Sequence, residues 1–203
     1  MNTDTRVKYY EGFLVDSERE LAAEKAQQAR RYSKAFYGPA ERLEKLEQYE
    51  EGKVRRVDYF DVANDTPIKT AHAQCYGQVP FMTHRQLSRP KGFVWKAVHA
   101  FTAGGELTEV TTILQDEAWC EWMEVSANAS KQVARIAKYY WESPEDLKYS
   151  FEYDGKGKLL GVQDVQSGER ASLDEVRASV SDAAFFEDGL RLPTPLMGTS
   201  IPG

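Results

Sequence analysis

Long apolar runs are missing from this chain of 203 residues, and no uninterrupted stretch reaches the length that crosses a bilayer as a helix. The first ten residues mix charged and polar side chains where a secretory leader needs an apolar segment, so a cytoplasmic protein without membrane association is expected. Cysteine is scarce. Cys75 and Cys120 are the two present, and they fit neither a disulfide framework nor a paired zinc motif. Concentrated positive charge is also lacking: 26 Lys and Arg stand against 32 Asp and Glu, for a formal net charge of −6. The short pairs Arg30-Arg31 and Arg55-Arg56 are too little for a phosphate-binding surface, which excludes nucleic acid as an expected partner. A basic protein partner is electrostatically easier. Finally, the familiar catalytic phrases are absent. There is no phosphate loop with a lysine, no dinucleotide glycine fingerprint, no His-Glu-x-x-His and no Gly-x-Ser-x-Gly, and no cofactor or metal is expected.

What the chain does have is a hydrophobic fraction of 41% with 12% aromatics, enough apolar surface to offset the entropy of ordering a core. Its length suits one domain. It also repeats itself. Tyr49-Glu50-Glu51-Gly52-Lys53-Val54, Phe101 through Gly105-Glu106-Leu107, and Tyr153 through Gly157-Lys158-Leu159 are versions of one phrase, spaced at intervals of 52 residues. Between the first and third copies the match extends upstream, where Arg31, Lys34, Phe36 and Tyr37 correspond to Arg135, Lys138, Tyr140 and Trp141. Repetition of this kind predicts architecture.

Each copy reads as three strands joined by tight turns, over about 31–61, 79–114 and 133–166. Leu147, Tyr149, Phe151 and Tyr153 alternate with Lys148, Ser150 and Glu152, the period of a strand wet on one side. By register, Trp95, Ala97, His99 and Phe101 take the buried face in the second copy, and Leu43, Lys45, Glu47 and Tyr49 take it in the first. The charged residues there predict that the first copy is less deeply covered. Ser17 with Glu20, and Ser172 with Glu175, carry a capping-box spacing and predict helices over about 17–30 and 172–186. An extended tail follows over 190–203. The connector 63–78 reads as irregular around Asp65-Thr66-Pro67, and the connector 115–132 as a segment folded back on the sheet in helical form. The expected fold is α+β, a curved antiparallel meander of about nine strands with N- and C-terminal helices packed on it.

Few residues suggest chemistry. His72, Cys75 and His84 come nearest to a metal or thiol constellation, but they fall short of the ligand set zinc needs. His99 sits on the aromatic face, where a hydrogen-bonded core histidine is the simpler reading than a general base. Glu117, Glu121 and Glu124 would share one face of a helix and could do acid–base work if burial separated their proton affinities. Beside Trp119 and Trp122, the same acids match the anchor-and-rim composition of a protein interface.

The repeated phrase, an aromatic, an acidic or glycine turn, then Gly-Lys-Leu or Gly-Lys-Val, resembles the β-hairpin repeats of MORN-type proteins and of bacterial YwqK-like antitoxin components. The resemblance covers the three meanders; its period is about twice that of a simple hairpin repeat, and Gly104-Gly105-Glu106 lacks the lysine. It implies a non-catalytic binding sheet, in some cases one that neutralises a toxin. The expected function is therefore that of a cytoplasmic bacterial immunity or antitoxin protein occluding a basic toxic enzyme, with Lys45, Glu47, Glu117, Trp119, Glu121, Trp122 and Glu124 at the interface. The alternatives are an enzyme or small-ligand binder using a pocket between sheet and helices, and a structural repeat scaffold.

Overall fold

All three copies of the repeated phrase are hairpin turns in the computed structural model, which describes residues 5–202. Glu51 and Gly52 both have positive φ, 53° and 72°, the geometry of a two-residue turn whose twist matches the strands it joins. Gly105 and Gly157 sit at φ 81° and 84°, in turns one step longer. In these the first residue's N–H donates to the carbonyl four residues on, and the fourth residue's N–H donates back to the first carbonyl. A left-handed residue is required at the fourth position, and glycine adopts that conformation without penalty.

The chain runs β1 (Arg6–Glu11), β2 (Glu20–Leu21), α1 (Ala23–Gln28), β3 (Arg31–Tyr37), β4 (Leu43–Glu50), β5 (Lys53–Tyr59), α2 (Asp65–Tyr76), β6 (Phe81–Ser88), β7 (Phe93–Phe101) and β8 (Leu107–Asp116). It continues through β9 (Glu121–Asn128), β10 (Val133–Ser143), β11 (Asp146–Asp154), β12 (Leu159–Asp164), β13 (Arg170–Ala171), α3 (Leu173–Arg177) and α4 (Ala183–Glu187). The strand order is β13-β12-β11-β10-β9-β8-β7-β6-β5-β4-β3-β1-β2. This corrects the expected nine-stranded antiparallel meander with terminal helices: among the described residues the sheet has thirteen strands and is mixed, and the helices are short. Its parallel step is β5 to β6, where Val57, Asp58 and Tyr59 pair with Phe81, Met82 and Thr83. A parallel step needs a crossover, and α2 supplies it.

The physical reasons for the departures are local. The predicted N-terminal helix has too thin an apolar stripe to hold it. Leu21 instead pairs with Tyr9 in β2, and Asp16 caps a single 3-10 turn by accepting from the Glu18 N–H at 2.9 Å. The Ser172–Glu175 capping box forms, but its helix stops at Arg177. Val180 is buried, and Asp182 then caps a second short helix. Residues 63–78, predicted irregular, hold the longest helix, opened by Asn64, whose side chain accepts from the Thr66 N–H at 3.0 Å. Nor is the tail loose, since Leu192 and Leu196 are buried.

Two compact units divide the chain. The first comprises the residues up to Arg85 together with His99–Thr108, and the second comprises Gln86–Val98 and Glu109 onward. In the first, Tyr10, Ala35 and Leu46 form one small apolar cluster, and Val57, Phe81 and Phe101 form another with Ile68 and Tyr76 of α2. The second has the larger core. Trp95, Leu114, Met123, Ile136, Phe151 and Tyr153 of its strands pack with Val176, Phe185, Phe186 and Leu196 of the C-terminal segment. Among the described residues no helix is long and apolar enough to cross a membrane.

Candidate functional site

The turn between β8 and β9 repeats the geometry of the glycine turns with a different residue in the demanding position. Asp116 N–H donates to the Cys120 carbonyl at 3.0 Å, and Trp119 N–H donates to the Asp116 carbonyl at 3.2 Å. Trp119 thus occupies the place of Gly105 and Gly157, at φ 69°. A bulky residue there carries strain of about 1 kcal/mol. Nothing buried repays it, because Trp119 is 72% exposed.

The turn is locked from within. The Asp116 Oδ1 accepts from the N–H groups of Ala118 and Cys120 at 2.9 and 3.0 Å, and its Oδ2 accepts from the Trp122 indole N–H at 2.9 Å. The Gln115 side-chain amide donates to the Trp119 carbonyl at 2.6 Å, while the Lys96 ammonium donates to the Gln115 side-chain oxygen and lies 4.5 Å from the Trp119 ring centroid. An exposed aromatic is therefore held in place before any partner arrives, which lowers the entropic penalty of binding.

The acids predicted to share a helical face do not lie on a helix. Glu117 is exposed in the turn, whereas Glu121 and Glu124 belong to β9. A bulge sets their positions: Leu114 pairs with Met123 but Gln115 pairs with Glu121, leaving Trp122 as the extra residue. Trp122 turns inward, packs edge-on against Phe93 at 5.7 Å and lies partly buried against the core. Burial and the neighbouring charge of Glu124 push the Glu121 carboxyl up, against the pull of Lys96. Tyr139 donates to Glu124 at 3.3 Å, and the Trp141 indole N–H donates to the Glu121 carbonyl at 2.7 Å. Two residues along the chain from Trp119, Glu121 is thus a partly desolvated acid, and Glu117 is an exposed one.

Lys45 and Glu47, expected to be exposed, are not. Glu47 is 4% exposed, near Tyr76 of α2. Its carboxylate accepts from Lys45 at 2.8 Å, from the Tyr49 hydroxyl at 2.7 Å and from the Tyr76 hydroxyl. Burial pushes its proton affinity up, but the three donors win and hold the carboxyl below its ordinary value. Because the folded pKa is depressed, the stabilisation is present above the ordinary glutamate range and is lost as pH falls through the folded value. Glu47→Ala is expected to lower stability by about 3 kcal/mol by leaving Lys45 without its buried partner. It should also flatten the acid limb of a pH–stability curve followed by thermal melts.

His72, Cys75 and His84, which fell short of a ligand set in the sequence, do not assemble as a metal site in the structure either. His72 is buried in α2 with one nitrogen at 2.9 Å from the Tyr59 hydroxyl and the other at 2.8 Å from the Val79 carbonyl, while Cys75 is exposed. Among the described residues no three of His, Cys, Asp and Glu converge as a metal site. Open clefts of about 460 and 300 Å³ occur, one in each unit, and neither is lined by a histidine. His99, however, has an unforeseen partner. Its Nδ1 lies 2.7 Å from Asp65 Oδ2, a carboxylate at the start of α2 that also accepts from Thr83 at 2.7 Å and Arg85 at 2.6 Å. Sequence reasoning missed Asp65, Thr83, Arg85, Gln115 and Tyr139. A signal existed for the locked turn, since Asp116 and Trp119 share the spacing of Asp154 and Gly157.

Comparison with known proteins finds no family model, no curated protein and no solved structure that matches this chain. The likeness to MORN-type and YwqK-like repeats accordingly rests on the three short phrases alone.

Proposed function

We propose that this chain is a protein-binding protein that acts in the cytoplasm, an immunity or antitoxin protein whose second unit occludes a basic enzyme. One observation carries the reading: an exposed tryptophan stands, locked, where the turn geometry favours glycine. Departures from local preference without a packing return are characteristic of functional sites. Tryptophan is also the residue most often found at the energetic centre of an interface. Glu117, Glu121 and Glu124 flank it and favour a partner whose apolar pocket has a basic rim, in keeping with the net charge of −6. A scaffold growing edge to edge has less support, because the edge strands β2 and β13 are two residues long.

The test is capture of partners by the tagged chain from its native host at low and moderate salt. Wild type is expected to retain one stoichiometric, salt-sensitive protein that purified chain inhibits. Charge reversal of Glu117, Glu121 and Glu124 together should release it. Unchanged capture by that triple variant would remove this surface from the reading.

A further inference from the structure

The three histidines differ in what their ring nitrogens are free to do. His72 spends both on the Tyr59 hydroxyl and the Val79 carbonyl. His84 faces Asp58 across 3.7 Å, too far for a hydrogen bond, and both facing atoms are shut off from solvent, so no ligand fits between them. His99 is different. A carboxylate 2.7 Å from Nδ1 requires a proton on that nitrogen, since two lone pairs would repel at this distance. The Nε2 lone pair is then directed away from Asp65. Among the described residues nothing hydrogen-bonds Nε2, and it is not one of the polar atoms shut off from solvent.

Asp65 is suited to orienting a base. Burial pushes its carboxyl up, but Thr83, His99 and Arg85 outweigh burial and keep it below its ordinary value, so it stays ionised beside the imidazole. The ring is further fixed by an edge-on contact with Phe101 at 6.3 Å. Lys69, one helical turn after Asp65 on α2, places its ammonium 4.5 Å from the Phe101 centroid. Arg85 and Lys69 together outweigh the single charge of Asp65, so the surroundings favour an anion.

We propose that Asp65 and His99 form a general-base dyad in the first unit that activates water toward a small anionic carboxylic ester, with Arg85 and Lys69 attracting the substrate. His99 Nε2 takes a proton from water as the water oxygen bonds to the acyl carbon. The bond from that carbon to the alcohol oxygen then breaks, the imidazolium returns its proton to the departing oxygen, and the acid product ionises to solvent. Asp65 does not change protonation; it fixes the tautomer and stabilises the imidazolium. This activity goes beyond the binding role of the second unit and does not depend on it.

The full chain is assayed with mono-4-nitrophenyl glutarate, an anionic activated ester, and with neutral 4-nitrophenyl acetate. Wild type should release nitrophenolate from the glutarate faster than His99→Gln by about tenfold or more. Lys69→Ala should slow the glutarate reaction by a larger factor than the acetate reaction, a change in the ratio of the two rates that general unfolding cannot imitate. In wild type, inactivation by diethyl pyrocarbonate should track carbethoxylation of His99 located by mass spectrometry. Equal rates for wild type and a folded His99→Gln, or inactivation that tracks another histidine, would overturn the proposal.

Discussion

Replacing Lys138 with alanine is expected to destabilise the second unit by about 4 kcal/mol, because the Phe185 and Arg191 carbonyls lose their side-chain donor, the Asp188 carbonyl is left with the Arg191 N–H, and a void opens. Lys138 lies on β10 with no exposure, and its ammonium donates to the carbonyls of Phe185, Asp188 and Arg191 at 2.6, 2.7 and 2.6 Å. The same ammonium sits 3.9 Å from the Phe185 ring centroid, and Tyr153 adds a bond to the Phe186 carbonyl at 2.6 Å. One side chain thus takes up the Phe185 and Arg191 carbonyls, which the short helix α4 and the coil after it leave unpaired, and adds a second donor to the Asp188 carbonyl, which already accepts from the Arg191 N–H at 3.1 Å. Amide exchange should show the loss first in residues 183–196, followed by a lower denaturant midpoint for the unit. Uniform exchange throughout the chain would contradict this role.

Burial pushes the Lys138 pKa down, against the opposing pull of Asp188 and Asp182. Its three carbonyl bonds use all three N–H groups of the charged form, so losing the proton would also lose one of them.

The second large effect is expected at Trp119, with opposite signs for fold and function. Trp119→Gly relieves a left-handed backbone and forfeits the contact with Lys96, so the change in stability should stay within about 1 kcal/mol. Binding should weaken about 100-fold, the loss of one central interface anchor. A residue kept for packing would show the reverse pattern, with a clear loss of stability and intact binding.

The parts of this fold legible in the sequence are those governed by short-range geometry. Gly52, Gly105 and Gly157 mark turns because few residues tolerate left-handed φ, and the alternation from Leu147 to Tyr153 shows its buried face because a strand has period two. Helix α2 was hidden by Pro67 and by a mixed surface of Thr, Lys, His and Gln, although Pro is tolerated in a first turn and Asn64 is a good cap. Strand β9 looked helical because the bulge at Trp122 breaks its alternation, leaving Trp119, Trp122, Met123 and Val125 at helix-like spacing. Glu47 read as wet because a charge is seldom buried; its cover, Tyr76, lies 29 residues away and on another element.

The candidate sites show the same division. Trp119 stood out as an aromatic among acids, but its significance depends on the left-handed turn, which its own identity disguises. The dyad was out of reach, because Asp65 and His99 are 34 residues apart and come together only when α2 crosses between β5 and β6. Long-range pairing of polar side chains leaves no periodic trace in a sequence, whereas turns and strand faces do.

The most direct measurement of the central claim is a side-by-side comparison of wild type and Trp119→Gly, with partner capture from native host lysate quantified and a thermal melt run on the same preparations. The account predicts a variant at least as well folded as wild type that no longer retains the stoichiometric partner. A variant that melts well below wild type while capturing the partner in full would contradict it, and would return Trp119 to a structural role.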